Sequence, residues 1–318
     1  MENTTTIAIF GHKKPDTDAI VSAIVMQDWL AQQHIKATAY RLDNTNPETQ
    51  FLLNLVNISV PPSLPDLPQG QAIALVDHNE SGQSIANLND YQIQYVIDHH
   101  KLGDLTTSEP VYIRLQPVGS TCTLLFLMYQ ELALTPPKNL ATLMCGAIIS
   151  DTLNLHSPTA TAQDRFALKQ LSNIADIKDL DNFAKQLFDA KSHVEHLTDL
   201  ELINSDFKQF SFDKDNNPLH IGISCIETVN PSQIFARKDA LQQASIRLKT
   251  QSNLDYLLVI VVDILAQQSW LIASDDTQNS FMTQVFHSEM QDNLLSIGNK
   301  VSRKKQIVPA LESFFAER

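Results

Sequence analysis

Short apolar runs alternate with longer stretches whose apolar residues recur every three or four positions, and this rhythm organises the first half of the chain. "TIAIFGH" reads as a strand, because its apolar residues are consecutive, partly β-branched or aromatic, and too few for a helix. "DAIVSAIVMQDWLAQQH" has helical spacing. A strand "ATAYRL", a helix "NPETQFLLNLVN" and the strands "QAIALVDH", "IQYVIDHH" and "VYIRL" follow, then helices in "GSTCTLLFLMYQELAL" and "PKNLATLMCGAIISDT". That order predicts an α/β fold with a doubly wound, mostly parallel sheet.

From about 160 to 200 the pattern is helical and polar, through "SDFK". New strands follow in "HIGISCIE", "YLLVIVV" and "SWLIAS", with a helix "ALQQASIRLKTQ" among them and a last one in "IVPALESFF". A smaller C-terminal α/β domain is expected: first domain 1–192, hinge linker 193–198, second domain 199–318.

Composition narrows the partners. At 318 residues the chain is long for one core and comfortable for two. Its 36 acids against 23 bases give a net charge of −13, which argues against nucleic acid held on a broad basic face. The most apolar stretch, "YLLVIVVDILAQQSWLI", is interrupted by Asp263 and two glutamines. A membrane span needs about 20 mostly apolar residues, so core strands are expected there and no membrane partner. Three scattered cysteines and an N-terminus without a basic-then-apolar leader point to a cytoplasmic protein. Neither glycine-rich phosphate cradle, G-x-G-x-x-G or G-x-x-x-x-G-K-[ST], occurs, so any phosphate must be held by cations.

In open α/β sheets, ligands gather beyond the carboxyl ends of the strands. There the polar residues recur: His12, Asp16 and Asp18 after the first strand, Asp77 and His78 after "IALV", Asp98, His99 and His100 after "YVI", and Asp151 after "CGAIIS". Each has an ordinary reading. Asp16, Thr17 and Asp18 sit where a helix starts and can cap it. Asp98 can simply orient a histidine, and Asp77 or Asp151 can serve a turn. Together they are harder to dismiss, because four aspartates in one cleft repel unless something positive holds them. Two divalent cations bring +4 against Asp16, Asp18, Asp77 and Asp151. Imidazole and carboxylate without thiolate suit Mn²⁺, Co²⁺ or Mg²⁺ better than structural zinc. A two-metal hydrolase is the favoured reading.

"GHKKPDTDAI", "ALVDHNE", "VIDHH", "GAIISDTLNLHSPTAT" and "VSRKKQ", in this order along the whole chain, resemble the family II (manganese-dependent) inorganic pyrophosphatases of the DHH phosphoesterase superfamily. The resemblance implies a DHH domain followed by a DHHA2-type domain, with the active site in the cleft between them. It implies His12 and Asp16 as ligands of one Mn²⁺, Asp18, His99 and Asp151 as ligands of the second, and Asp77 bridging both; Co²⁺ or Mg²⁺ are possible substitutes. His100 is implied on the substrate side, and Asp98 as a group that steadies the histidines. Lys208, Arg303 and Lys304 are implied as the pyrophosphate clamp, and Gln83 as a minor substrate contact. Hydrolysis would proceed by in-line attack of a hydroxide bridging the metals, on pyrophosphate arriving with additional Mg²⁺. A homodimer through the N-terminal domain is also implied.

Lys14 departs from the family, which usually has asparagine there, so altered local charge is expected. The rival reading is an exopolyphosphatase or another DHH phosphodiesterase. Exopolyphosphatase relatives commonly replace the first histidine of the opening motif, and His12 is present here. His34, His156, His193, His196, His220 and His287 are expected to be surface or structural histidines, and Asp263 to make a structural hydrogen bond.

Overall fold

The computed structural model describes residues 6–192, 194–195, 197–214 and 217–316. His193 and His196, and with them part of the expected 193–198 hinge, lie outside the described residues. The chain divides into two compact units, Met1–Ala190 and Lys191–Arg318.

In the first unit, β1 (Ile7–Phe10), β2 (Ala37–Tyr40), β3 (Ala72–Val76), β4 (Gln92–Asp98) and β5 (Tyr112–Leu115) form one parallel sheet in the order β2-β1-β3-β4-β5. Every residue of β1 and β3 is buried, which is why their sequences are unbroken apolar runs. The strand order reverses between β1 and β3, making that pair the switch point at which such sheets open a crevice. Register brings the strand ends level: Phe10 lies beside Leu75, and Val76 beside Ile97. His12, Asp77 and His99 all follow these ends within two residues.

The connecting helices are α1 (Thr17–Ala31), α2 (Pro47–Leu55), α3 (Thr121–Glu131), α4 (Lys138–Thr152) and α5 (Ala162–Ala175), followed by α6 (Leu180–Ser192) at the boundary. Helix α1 packs against α3 and α4 and is buried along most of its length. Gly11 permits the tight β1–α1 turn, since a Cβ there would overlap Ala19.

The second unit contains α7 (Asp199–Ser205), β6 (Phe207–Lys214), β7 (Asn217–Thr228), α8 (Pro231–Phe235), α9 (Lys238–Gln251), β8 (Tyr256–Asp263), β9 (Gln268–Ile272), α10 (Asp276–Phe286), β10 (Met290–Gln291), β11 (Leu294–Gly298) and α11 (Val308–Ala316). Its sheet has the order β10-β11-β9-β8-β7-β6, with only β7 and β8 parallel. Leu202, Ile203 and Leu241 pack with Leu257, Val259 and Val261 as its core. The helical reading of "SDFK" is corrected here. The helix stops at Ser205, and Phe207 opens a strand whose antiparallel pairing with β7 overrides the helical pattern before it. Asp263 accepts from the backbone N–H groups of Leu265 and Ala266, holding the β8–β9 turn. Cys122, Cys145 and Cys225 are buried free thiols, and no helix among the described residues is long and apolar enough to cross a membrane.

Candidate metal centre

Asp16 occupies the N-cap of α1 in extended conformation, and its carboxylate accepts the Ala19 N–H at 3.0 Å. The capping reading is therefore real, but it uses only one oxygen. The other, Oδ2, lies 3.5 Å from His12 Nε2. Asp77 follows β3 in left-handed conformation, φ +60°, although it is not glycine. Its N–H still donates to Ile97, so the ladder holds a strained residue at the strand end. His99 follows β4 directly, and Asp151 lies in the last turn of α4.

With His100, these side chains form three overlapping groups that share Asp77, one of them Asp77, His99 and His100. His12, Asp16 and Asp77 bring donor atoms within 4.8 Å of one another, and so do Asp18, Asp77, His99 and Asp151. Asp77 Oδ2 lies 3.4 Å from His12 Nε2, and Asp77 Oδ1 lies 3.4 Å from His99 Nε2. Asp151 Oδ2 is 3.5 Å from the same His99 nitrogen. His100 stands at the edge, with Nδ1 3.7 Å from Asp77 Oδ1.

The proton positions test whether a cation fits. His12 Nδ1 lies 2.7 Å from the Lys13 carbonyl and His99 Nδ1 2.9 Å from the Val118 carbonyl. A carbonyl can only accept, so each Nδ1 carries a proton and Nε2 is the nitrogen turned to the carboxylates. The 3.4–3.5 Å separations there are longer than a good charge-assisted hydrogen bond. Ligands about 2.1 Å from one shared ion lie roughly 3.0–3.4 Å apart. Asp77 Oδ2 is also buried with no hydrogen-bond partner. Geometry and donor chemistry both fit divalent cations with nitrogen and oxygen ligands.

Without a cation the site is under electrostatic stress. Burial works against charge on His12, but the carboxylates of Asp16 and Asp77 overcome it and raise the imidazole to about 10. Asp18 is pushed up to about 7, first by burial and then by repulsion from Asp77. This happens although Asp18 accepts the N–H groups of Thr121 and Cys122 at the start of α3, a favourable place for an anion. Asp77 stays well below its usual range despite burial, because His12, His99 and His100 face it.

Around these groups, Asp98 Oδ1 accepts from His100 Nδ1 at 2.7 Å, and Asp98 Oδ2 accepts from Asn79. Thr121 Oγ1 donates to Asp77 Oδ1 at 3.0 Å, and Ser120 Oγ to Asp18 at 2.8 Å. Buried His78 lies between the Val76 carbonyl and Ser84 Oγ, and burial lowers it to about 4, so it is a neutral structural histidine. His34, His156, His220 and His287 lie outside all three metal-competent groups among the described residues.

Gln83 donates its side-chain amide to Glu80 at 2.7 Å, and its carbonyl accepts the Lys13 N–H. Lys14 has φ +49°, and its N–H donates to Asp43. Asparagine tolerates that left-handed backbone better than lysine, so the departure from the family pattern costs conformational energy as well as altering charge.

In the second unit, Lys208 is half-buried on β6, while Arg303 and Lys304 open a π-helical turn, Arg303–Ile307. Arg303 is engaged: Nη2 meets Asp206 Oδ1 at 2.7 Å, and Nη1 donates to the carbonyls of Asp206 and Ile223. Burial opposes ionisation of Asp206, but Arg303 and Lys208 hold it below the usual carboxylate range. Lys304 is exposed. Asp206, Asn79, Ser120 and Thr121 escaped the sequence reading. A serine ahead of the apolar run, in "GSTC", is the one signal available: Ser120 is the N-cap of α3.

Family models agree with this layout. Residues 6–148 match the DHH family, N-terminal domain, and residues 185–314 match the DHHA2 domain. A Deinococcus radiodurans protein named probable manganese-dependent inorganic pyrophosphatase is 41% identical over 98% of this chain and 99% of its own length. A Clostridium acetobutylicum protein of the same name is 38% identical over 96% of this chain and 97% of its own. The crystal structure of a Methanococcus jannaschii protein assigned to the family II inorganic pyrophosphatases superposes with a TM-score of 0.82 at 33% identity, covering 98% of this chain and all of that one.

Proposed function

Because the chain belongs to the manganese-dependent inorganic pyrophosphatases of the DHH superfamily, we propose that it hydrolyses inorganic pyrophosphate to two phosphates by in-line attack of water. The observation that carries this reading is the pair of donor groups sharing Asp77. His12, Asp16 and Asp77 would hold one Mn²⁺, and Asp18, Asp77, His99 and Asp151 the other. Bound there, two divalent cations lower the pKa of water toward neutrality and offset phosphate charge.

The chain's own residues supply orientation and proton control. The Lys13 and Val118 carbonyls fix the Nδ1 protons of His12 and His99, so both present Nε2. Asp98 holds a proton on His100 Nδ1, leaving His100 Nε2 to meet a substrate oxygen and, when protonated, to donate to the leaving phosphate. Lys208 and Lys304 are proposed to gather the phosphate oxygens, with Gln83 as a lesser contact. Arg303 shares that role by resemblance while also anchoring its own turn through Asp206. Substrate enters with additional Mg²⁺.

A homodimer is part of the proposal. The edge strand β5 exposes Tyr112 and Ile113, at 44% and 50%, and an unpaired apolar edge invites a second copy. Sedimentation is expected to show a dimer, and Ile113→Lys a monomer. The activity is tested by phosphate release from pyrophosphate and tripolyphosphate after Mn²⁺ reloading. Cleavage confined to pyrophosphate supports the reading, and preference for the longer chain moves the protein to the exopolyphosphatases.

A further inference from the structure

We propose that Glu48, a buried carboxylate of α2, is a positioning residue that ties together the two helix ends carrying Asp16, Asp18 and Asp151. The inference rests on the two-metal reading above and adds a residue that no ligand motif includes. Glu48 is 1% exposed. Its Oε2 accepts from Thr17 Oγ1 at 2.7 Å and from Ser150 Oγ at 2.7 Å. Thr17 stands between Asp16 and Asp18 at the start of α1, and Ser150 immediately precedes Asp151 at the end of α4.

Thr17 has one hydroxyl proton and directs it to Glu48, so Thr49, whose Oγ1 is 3.0 Å from Thr17 Oγ1, donates to Thr17. Thr17, Thr49 and Ser150 are all buried, so water does not replace these bonds cheaply. Packing seats the carboxylate. One turn from Glu48, Leu52 lies on Gly146, one turn before Ser150, and a Cβ at Gly146 would overlap Leu52. Helix α2 therefore lies close to α4 at the level where Glu48 reaches Ser150. Glu48 reaches the group Asp18, Asp77, His99 and Asp151 from both helices, and the group His12, Asp16 and Asp77 through Thr17.

The test is Mn²⁺ titration of the metal-stripped protein by calorimetry, for wild type, Glu48→Ala, Glu48→Gln and Ser150→Ala, alongside thermal unfolding without metal. Wild type is expected to bind two Mn²⁺. Glu48→Ala is expected to weaken one of the two steps by about 10–100-fold, Ser150→Ala to weaken the same step less, and Glu48→Gln to stay within about threefold of wild type because its amide oxygen still accepts. A merely structural role would lower the metal-free unfolding midpoint and leave Mn²⁺ affinity of the folded protein unchanged. Wild-type affinity at both steps in Glu48→Ala and Ser150→Ala overturns the proposal. Should Glu48→Ala fail to fold, Ser150→Ala decides alone. Fewer than two Mn²⁺ on wild type itself overturns the two-metal reading, and this inference with it.

Discussion

Asp98 Oδ1 receives both the Nδ1–H and the backbone N–H of His100, at 2.7 and 3.1 Å, so one fully buried carboxylate sets the ring's tautomer and its place beside Asp77. The second oxygen of Asp98 is taken by the Asn79 amide. Asp98→Asn would turn its own NH₂ toward Asn79 or toward His100, and either breaks the arrangement. We expect kcat to fall about 10–100-fold with Mn²⁺ content unchanged. Steady-state kinetics with metal analysis checks this, and unchanged kcat would remove His100 from the proposed chemistry.

The site's charge makes stability of the metal-free protein depend on pH. His12 ionises near 10 in the fold against 6.5 ordinarily, so its contribution is full below 6.5 and is lost as pH rises through 10. Asp18, raised from 3.8 to about 7, keeps a proton that the unfolded chain has released, so stability also falls as pH rises from 3.8 to 7. Asp16 and Asp77 are shifted downward and titrate below this window. Thermal unfolding between pH 5 and 9 should show a falling midpoint without metal and a flatter profile with Mn²⁺ loaded. Because binding displaces the His12 proton, Mn²⁺ affinity should rise with pH across the same range.

Arg303 and Lys304 are adjacent but should fail differently. Arg303→Ala removes a donor from the Asp206 and Ile223 carbonyls and leaves the Asp206 carboxylate without this ion-pair partner, and is expected to cost about 1–3 kcal/mol of stability as well as activity. Lys304→Ala, at an exposed position, should leave unfolding within about 0.5 kcal/mol of wild type while weakening turnover of pyrophosphate. Denaturant melts beside kinetics separate the two roles.

The parallel sheet was legible because β1, β3 and β4 are short apolar runs ending in histidine or aspartate, and the ligand residues because they recur at those ends. Strand β6 was not, since the "NSD" before "FKQFSFDK" continues the helical pattern without glycine or proline, and the strand depends on pairing with β7. The β10–β11 hairpin was missed for a similar reason: its first strand is Met290–Gln291 alone. Glu48, Asn79 and Asp206 were invisible as site residues, because a single carboxylate or amide in a helix or loop has many ordinary uses. Only the partners supplied by distant segments give them a role.

Asp77 is proposed to join two metal sites into one catalytic unit. The most direct test is phosphate release from pyrophosphate by metal-stripped protein preloaded with increasing Mn²⁺ and desalted, with Mg²⁺ supplied with the substrate. Activity above the Mg²⁺-only baseline should emerge chiefly with the second equivalent, and Asp77→Ala should neither retain two Mn²⁺ nor turn over. Full activity at one equivalent, or an Asp77→Ala enzyme that still binds two Mn²⁺ and works, would contradict the account.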